Sequence, residues 1–180
     1  MLAGPPVLSE DFRPLKSQPN QAGLDISSSQ LYNGEVIPDF DTNGNLPPGV
    51  HKASLAEVEH RFAHNATRKA LFVGLARVVA ILSEAKCPEV HLDGSYITTK
   101  EEPDDYDLCF EPTGLKATEE LRKFLSNKEG RKTEYLGDIF VRMPEPPYYV
   151  DHVTHWQKDG RNDDIIKGIL KIELRTESHA

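Results

Sequence analysis

Val90-His91-Leu92-Asp93-Gly94-Ser95-Tyr96-Ile97-Thr98-Thr99-Lys100-Glu101-Glu102-Pro103-Asp104-Asp105-Tyr106-Asp107-Leu108-Cys109-Phe110 is the stretch on which the fold turns. Val90 to Leu92 reads as a short strand that delivers the chain to a small-residue turn, Gly94-Ser95. Asp105 to Phe110 reads as a second strand, with Tyr106, Leu108 and Phe110 alternating against Asp105, Asp107 and Cys109. A period of two puts both carboxylates on one face. Two aspartates so placed repel strongly away from water, so they are either solvated or separated by a cation. Magnesium suits hard carboxylate oxygens and keeps positions open for water and phosphate oxygens. Gly94 removes a side chain where backbone must approach a ligand, and Ser95 adds a hydroxyl that can donate to a phosphate oxygen. Ile97, Thr98 and Thr99 are mediocre helix formers, so no more than about a turn of helix is expected after Ser95. Free amides of such a turn would face the same anion, with Lys100 as a countercharge for a triphosphate.

Upstream, Ser54-Leu55-Ala56-Glu57 has the form of a capping box, and the folded part is predicted to begin there. A longer helix is predicted from Asn65 to about Lys86, with Leu71, Leu75, Val78, Val79 and Leu82 on one face. Cys87-Pro88 ends it, since the residue before proline disfavours helix. Downstream, the pattern predicts a helix over 118–127 with Leu121, Phe124 and Leu125 as its stripe, and a strand over 134–141 closed by Pro144-Glu145-Pro146-Pro147. Tyr148 to Val153 reads as extended, and Lys167 to Leu174 as a last strand with one solvated face. Helices interleaved with short strands imply an α/β (α+β) domain on a small mixed sheet flanked by helices. The Pro-, Gly-, Ser- and Asn-rich residues 1–45 read as a flexible arm, with Val36-Ile37 able to dock, and residues 46–180 as the domain.

A third carboxylate would let two ions bind, one activating an attacking oxygen and one neutralising a leaving pyrophosphate. Asp138, within Tyr135-Leu136-Gly137-Asp138-Ile139-Phe140-Val141, is the first choice, because an ionised Asp in an apolar strand needs a partner. Asp151 is the second choice. The catalytic and metal set predicted from the residues is therefore Asp105, Asp107 and Asp138, and the nucleotide-binding set Gly94, Ser95 and Lys100.

Composition bounds the function classes. At 180 residues, 38% hydrophobic and 28% charged, the chain suits one soluble domain. No run approaches the roughly 18 apolar residues of a membrane span. A net charge of −8 argues against broad binding of duplex DNA. Met1-Leu2-Ala3-Gly4-Pro5-Pro6 has no secretion-signal form, and Cys87 and Cys109 make no disulfide framework, so a cytoplasmic location is expected.

With these residues in view, the chain resembles the nucleotidyltransferase superfamily, which shares the DNA polymerase β fold. The likeness lies in Gly94-Ser95, the nine-residue spacer, Asp105-Tyr106-Asp107-Leu108, and Asp138 on a later strand. Its small size is similar to that of the minimal nucleotidyltransferases. Leu46-Pro47-Pro48-Gly49-Val50-His51, the Arg68-to-Leu82 helix, Gly94-Ser95-Tyr96-Ile97-Thr98 and Lys167-Gly168-Ile169 resemble an uncharacterised bacterial and phage branch. Where many minimal members carry Arg-Gly and Ser-Asp between the two motifs, this chain has Thr99-Lys100-Glu101-Glu102-Pro103-Asp104. The resemblance implies Mg²⁺- or Mn²⁺-dependent transfer of a nucleoside monophosphate from an NTP such as ATP to a hydroxyl of a protein or RNA. Its alternatives are an inactive nucleotide-binding or interaction module, such as the regulatory half of a toxin–antitoxin pair, and a metal-dependent phosphohydrolase.

Other candidates read more plainly. His60 and His64 form a solvated helix face, lacking the Glu of a metalloprotease motif. His152 and His155 stand near Asp151 without a pattern that ties them to the acids, and Trp156 reads as a packing residue. Arg122, Lys123, Lys128, Arg131 and Lys132 form a basic cluster able to guide an acidic acceptor if it borders the cleft, with Arg68 and Arg77 weaker cases. Cys109 shares the face of the acids but has no paired His to make it a nucleophile.

Overall fold

The computed structural model of the protein describes residues 37–143 and 151–174. Its strands are β1 (Gly49–Ser54), β2 (Val90–Asp93), β3 (Tyr106–Phe110), β4 (Gly137–Val141), β5 (Lys158–Asp159), β6 (Asn162–Ile166) and β7 (Gly168–Glu173). Five of them make a mixed sheet in the order β1-β7-β2-β3-β4, and β5 and β6 make a separate hairpin. β1 is parallel to β7 and β3 to β4, while β2 is antiparallel to both its neighbours. The helices are α1 (Leu55–Phe62), α2 (Ala66–Glu84), α3 (Glu119–Ser126), α4 (Arg131–Tyr135) and α5 (His152–His155). The fold is thus the small mixed α/β kind that the sequence implies. No helix among the described residues is long and apolar enough to cross a membrane.

Local signals account for most of these elements. Ser54 and Glu57 form the reciprocal capping box, with Ser54 N donating to Glu57 Oε2 at 2.7 Å and Glu57 N to Ser54 Oγ at 3.2 Å. Asn65 caps α2 by accepting from the Arg68 amide at 2.8 Å. Leu71, Leu75, Val78, Val79 and Leu82 are all buried, joining the core formed by Leu92, Leu108 and Leu170 of the sheet. Each such side chain contributes about 1.5–3 kcal/mol on burial.

The register assigns the two faces of the sheet. Val90, Leu92, Tyr106 and Leu108 lie in the helix-covered core, so the alternate positions His91, Asp93, Asp107, Cys109, Asp138 and Phe140 share the other face. Antiparallel pairing sets Asp93 opposite Asp107, and parallel pairing sets Asp107 beside Asp138. Three acids therefore stand in one row across three strands.

Several expectations need correction. A strand, β1, precedes Ser54, because it is held by the distant β7 rather than by any local pattern. Residues 37–45 of the predicted arm carry buried Ile37 and a ring of Phe40 that packs on Phe62 with centroids 6.2 Å apart. Val36 and the rest of the arm lie outside the described residues. The strand expected from Glu134 begins only at Gly137. Glu134 and Tyr135 belong to α4, Tyr135 packing edge-on to Phe124, and Leu136 turns the chain with φ 60°. The face of the last strand expected to be solvated is so only in part: in β7, which is paired on both sides, Glu173 is exposed, Lys171 is half-buried against Glu89 and Ile169 is buried. Of the predicted extended run 148–153, residues 148–150 lie outside the described residues and His152 and Val153 are helical.

His91 is a consequence of this arrangement. It is 3% exposed on the acid-bearing face, and burial pulls its pKa down to about 4, opposed by Glu89 and Asp151 and helped by Lys171 and Arg142. The unfolded chain, with histidine near its ordinary 6.5, binds this proton first. The contribution is therefore complete above pH 6.5 and is lost as the pH falls towards 4. Thermal melts should show His91→Phe losing on the order of 2 kcal/mol less than the parent across that window. Parallel pH profiles for the two proteins would remove this account.

Candidate functional site

Gly94 ends β2 with φ 87°, a conformation that side chains disfavour. A Cβ at this position would run into the Asp107 carboxyl and approach the Asp107 amide at 3.1 Å. The turn and the acid are in direct contact, which only glycine allows. Ser95 to Ile97 then make a single 3-10 turn, with Ile97 N donating to Gly94 O at 3.3 Å and Thr98 N to Ser95 O at 3.3 Å.

Arg68 fixes the loop that follows. Its side chain is fully buried and directed at backbone carbonyls rather than at a carboxylate. Nη1 donates to Tyr96 O at 2.6 Å and Phe62 O at 3.3 Å; Nη2 donates to Thr98 O at 2.9 Å and to Lys100 O; Nε donates to Glu101 O at 3.2 Å. Burial draws its pKa below the ordinary arginine value, yet the guanidinium has no accessible neutral form. The weak surface cation of the sequence reading is a structural pin.

A cleft of about 590 Å³ opens beside this turn, and Gly94, Ser95, Lys100 and Asp107 all line it. Burial raises the Asp107 pKa to about 6, and the neighbouring Asp93, Asp105 and Asp138 raise it further while Lys167 opposes them. Asp105 and Asp138 do not line the cleft; they meet through Lys132, whose Nζ lies 2.8 Å from Asp105 and 2.7 Å from Asp138. Of the predicted basic cluster it is Lys132 that reaches the acids. Lys100 is half-exposed and pairs with Asp104 at 2.7 Å. Asp151, the second choice, is taken by Arg142 at 3.3 Å and by the Thr154 hydroxyl at 2.7 Å. Cys109 is fully buried, and burial pushes its thiol up to about 12, which suits no nucleophile. His64 faces Glu101 at 3.6 Å.

Three features of the cleft escape a reading of the sequence. Asp93, 5% exposed, lines it in an ion pair with Lys167, itself 8% exposed. Burial raises the Asp93 pKa and Lys167 lowers it. Its alternation against Val90 and Leu92 was visible, but only strand register sets it opposite Asp107. Asp159, Arg161 and Asn45 form a second network at the wall, with Asn45 Nδ2 donating to Asp159 Oδ2 at 2.8 Å and Arg161 Nη2 to the same oxygen at 2.6 Å. Trp156, read from the sequence as a packing residue, and His155 also line the cleft.

The donor chemistry fits a hard divalent cation: carboxylates in neighbouring positions, those of Asp93, Asp105 and Asp138 raising the Asp107 pKa, with an ammonium between Asp105 and Asp138. Among the described residues no three His, Cys, Asp or Glu side chains are already gathered as a metal site.

Fold and site together define a small mixed α/β protein whose sheet carries a row of acids, two of which, Asp93 and Asp107, line a cleft shared with Lys100, Lys158, Arg161 and Lys167. Residues 38–173 match the family of unknown function DUF6932, and the chain belongs to that family. No curated protein and no solved structure matches the chain.

Proposed function

We propose that the protein is a nucleotidyltransferase, dependent on Mg²⁺ or Mn²⁺, that moves a nucleoside monophosphate from an NTP to a hydroxyl of a protein or RNA. The observation that carries this reading is the contact of the Gly94 turn with Asp107, itself in register with Asp138 and electrostatically coupled to Asp105. This contact supports the reading, because phosphates held at the Gly94 turn would lie close to acids of the kind a divalent ion requires. Asp105, Asp107 and Asp138 would hold the ion, which when bound supplies charge that offsets the phosphate oxygens. Gly94 and Ser95 receive the triphosphate, and Lys100 exchanges Asp104 for a phosphate oxygen. The acceptor oxygen bonds to the α-phosphorus, the bond from that phosphorus to the bridging oxygen breaks, and pyrophosphate leaves. Asp138 takes the acceptor's proton. The buried, unbridged Cys87 and Cys109 suit a cytoplasmic setting.

A second reading, a nucleotide-binding or interaction module without transfer, is favoured by the Lys132 bridge across Asp105 and Asp138. Incubation with α-labelled NTPs, Mg²⁺ and cell extract separates the two. Transfer predicts a labelled acceptor, and Asp105→Asn with Asp107→Asn should reduce labelling at least about 100-fold, equivalent to roughly 2.7 kcal/mol of barrier. Saturable NTP binding with no labelled product in any extract would leave the module; release of inorganic phosphate from γ-labelled NTP would mark a hydrolase.

A further inference from the structure

Trp156 is the single tryptophan of the chain, and its placement is unlike that of a core residue. It caps α5 and is half-buried. One side of the indole is braced edge-on against Phe140, centroids 5.7 Å apart, and against His152 at 5.2 Å. Phe140 lies on the acid-bearing face two residues beyond Asp138. The indole therefore stands on the same face of the sheet as the acids and lines the same cleft as Gly94, Ser95 and Asp107. An aromatic surface held by its neighbours loses little freedom when a second ring stacks on it.

The groups around it are polar in a particular way. Lys158, Arg161 and Lys167 line the cleft with it, and a ring flanked by cations is how nucleic-acid sites hold a base without reading its sequence. The side chains best suited to read a base edge are already committed. Asn45 donates to Asp159 and its Oδ1 accepts from Arg161 Nη2 at 3.2 Å. Asp159 Oδ1 accepts the Arg161 amide at 2.9 Å and Nε at 3.0 Å. The cleft's roughly 590 Å³ falls within the range of about 300–1,000 Å³ typical of small-molecule sites.

We propose that Trp156, with the β5–β6 hairpin, is the seat of the nucleobase of a nucleoside triphosphate, selecting by ring area and not by the base's edge. This rests on the reading of the acid row as a triphosphate site and adds what binds the other end of the ligand. Purines are then held more tightly than pyrimidines, and adenine and guanine nearly alike.

The emission of a lone tryptophan reports on its own stacking, so the full chain can be titrated directly in Mg²⁺ with ATP, GTP, CTP, UTP and inorganic tripolyphosphate. All four nucleotides should quench Trp156, ATP and GTP with midpoints within about threefold of each other and ahead of CTP and UTP. Tripolyphosphate should leave the emission unchanged while shifting the ATP midpoint upward. Equilibrium dialysis with labelled ATP should show Trp156→Leu about tenfold weaker and Trp156→Phe close to the parent. Unaltered tripolyphosphate binding by Trp156→Leu shows that the variant is folded. If ATP binds the parent and Trp156→Leu equally, or binds without quenching, the seat is elsewhere and the transferase reading stands. A midpoint for GTP far from that for ATP also overturns edge-blind selection. If neither ATP nor tripolyphosphate binds the parent, both readings fall together.

Discussion

Arg68→Met should cost the protein about 4 kcal/mol or more of stability, the largest loss expected from a single side chain outside the apolar core. The guanidinium is fully buried, and its donors serve carbonyls of Phe62, Tyr96, Thr98, Lys100 and Glu101. A methionine fills much of the space but offers no donor, leaving several buried carbonyls without partners at about 1–3 kcal/mol each, with some relief from water and relaxation. Arg68→Lys should recover only part of this, because a point ammonium with three donors cannot serve carbonyls spread around a planar fork. Urea unfolding of the three proteins measures the loss. Amide exchange at residues 96–101 tests its location, since the pin predicts that these loop amides lose protection before those of the sheet. A variant within about 1 kcal/mol of the parent would show that the loop holds itself.

Gly94→Val is expected to abolish ligand binding at the cleft and to destabilise the fold by about 2–4 kcal/mol. Two causes act at once. The backbone sits at φ 87°, where a β-branched residue is strained, and the new Cβ meets the Asp107 carboxyl and its amide. Either Asp107 is pushed out of its row with Asp93 and Asp138, or the turn retreats from it. Gly94→Ala keeps both the backbone strain and the clash without β-branched bulk, and is the milder test of the same contact. Binding of Mg²⁺ and ATP is followed calorimetrically beside the melting temperature. Undiminished ATP affinity in a stably folded Gly94→Ala would mean that the contact between turn and acid is incidental to the ligand.

The parts of the fold legible in the sequence are those whose information is local. α2 could be read from its apolar spacing and its Asn65 cap, α1 from the Ser54–Glu57 box, and β3 from strict alternation. β1 and β7 could not be joined in advance, because their parallel pairing links residues at opposite ends of the domain. The α4 boundary was hidden because Tyr135, Gly137, Ile139 and Val141 alternate as a strand would, and only the left-handed Leu136 shows where helix stops. At the site, Gly94, Ser95, Lys100 and Asp107 carried a spacing signal and do share one cleft. Asp93 did not, since its meaning depends on register. Arg68 was misjudged for a different reason: its partners are carbonyl oxygens, which every residue has and no sequence marks.

The lysine lodged between Asp105 and Asp138 has a consequence for how the molecule can exist before it meets any ligand. Carboxylates crowded on one sheet face would ordinarily push the strands apart or force a proton onto one of them. Here part of that strain is relieved from within, by a charge tethered to the neighbouring helix. The protein can therefore be synthesised and wait in an ion-poor surrounding with its strands already aligned. On the proposed reading an incoming ion would have to displace that ammonium, and its grip would be weaker than the bare acids would give.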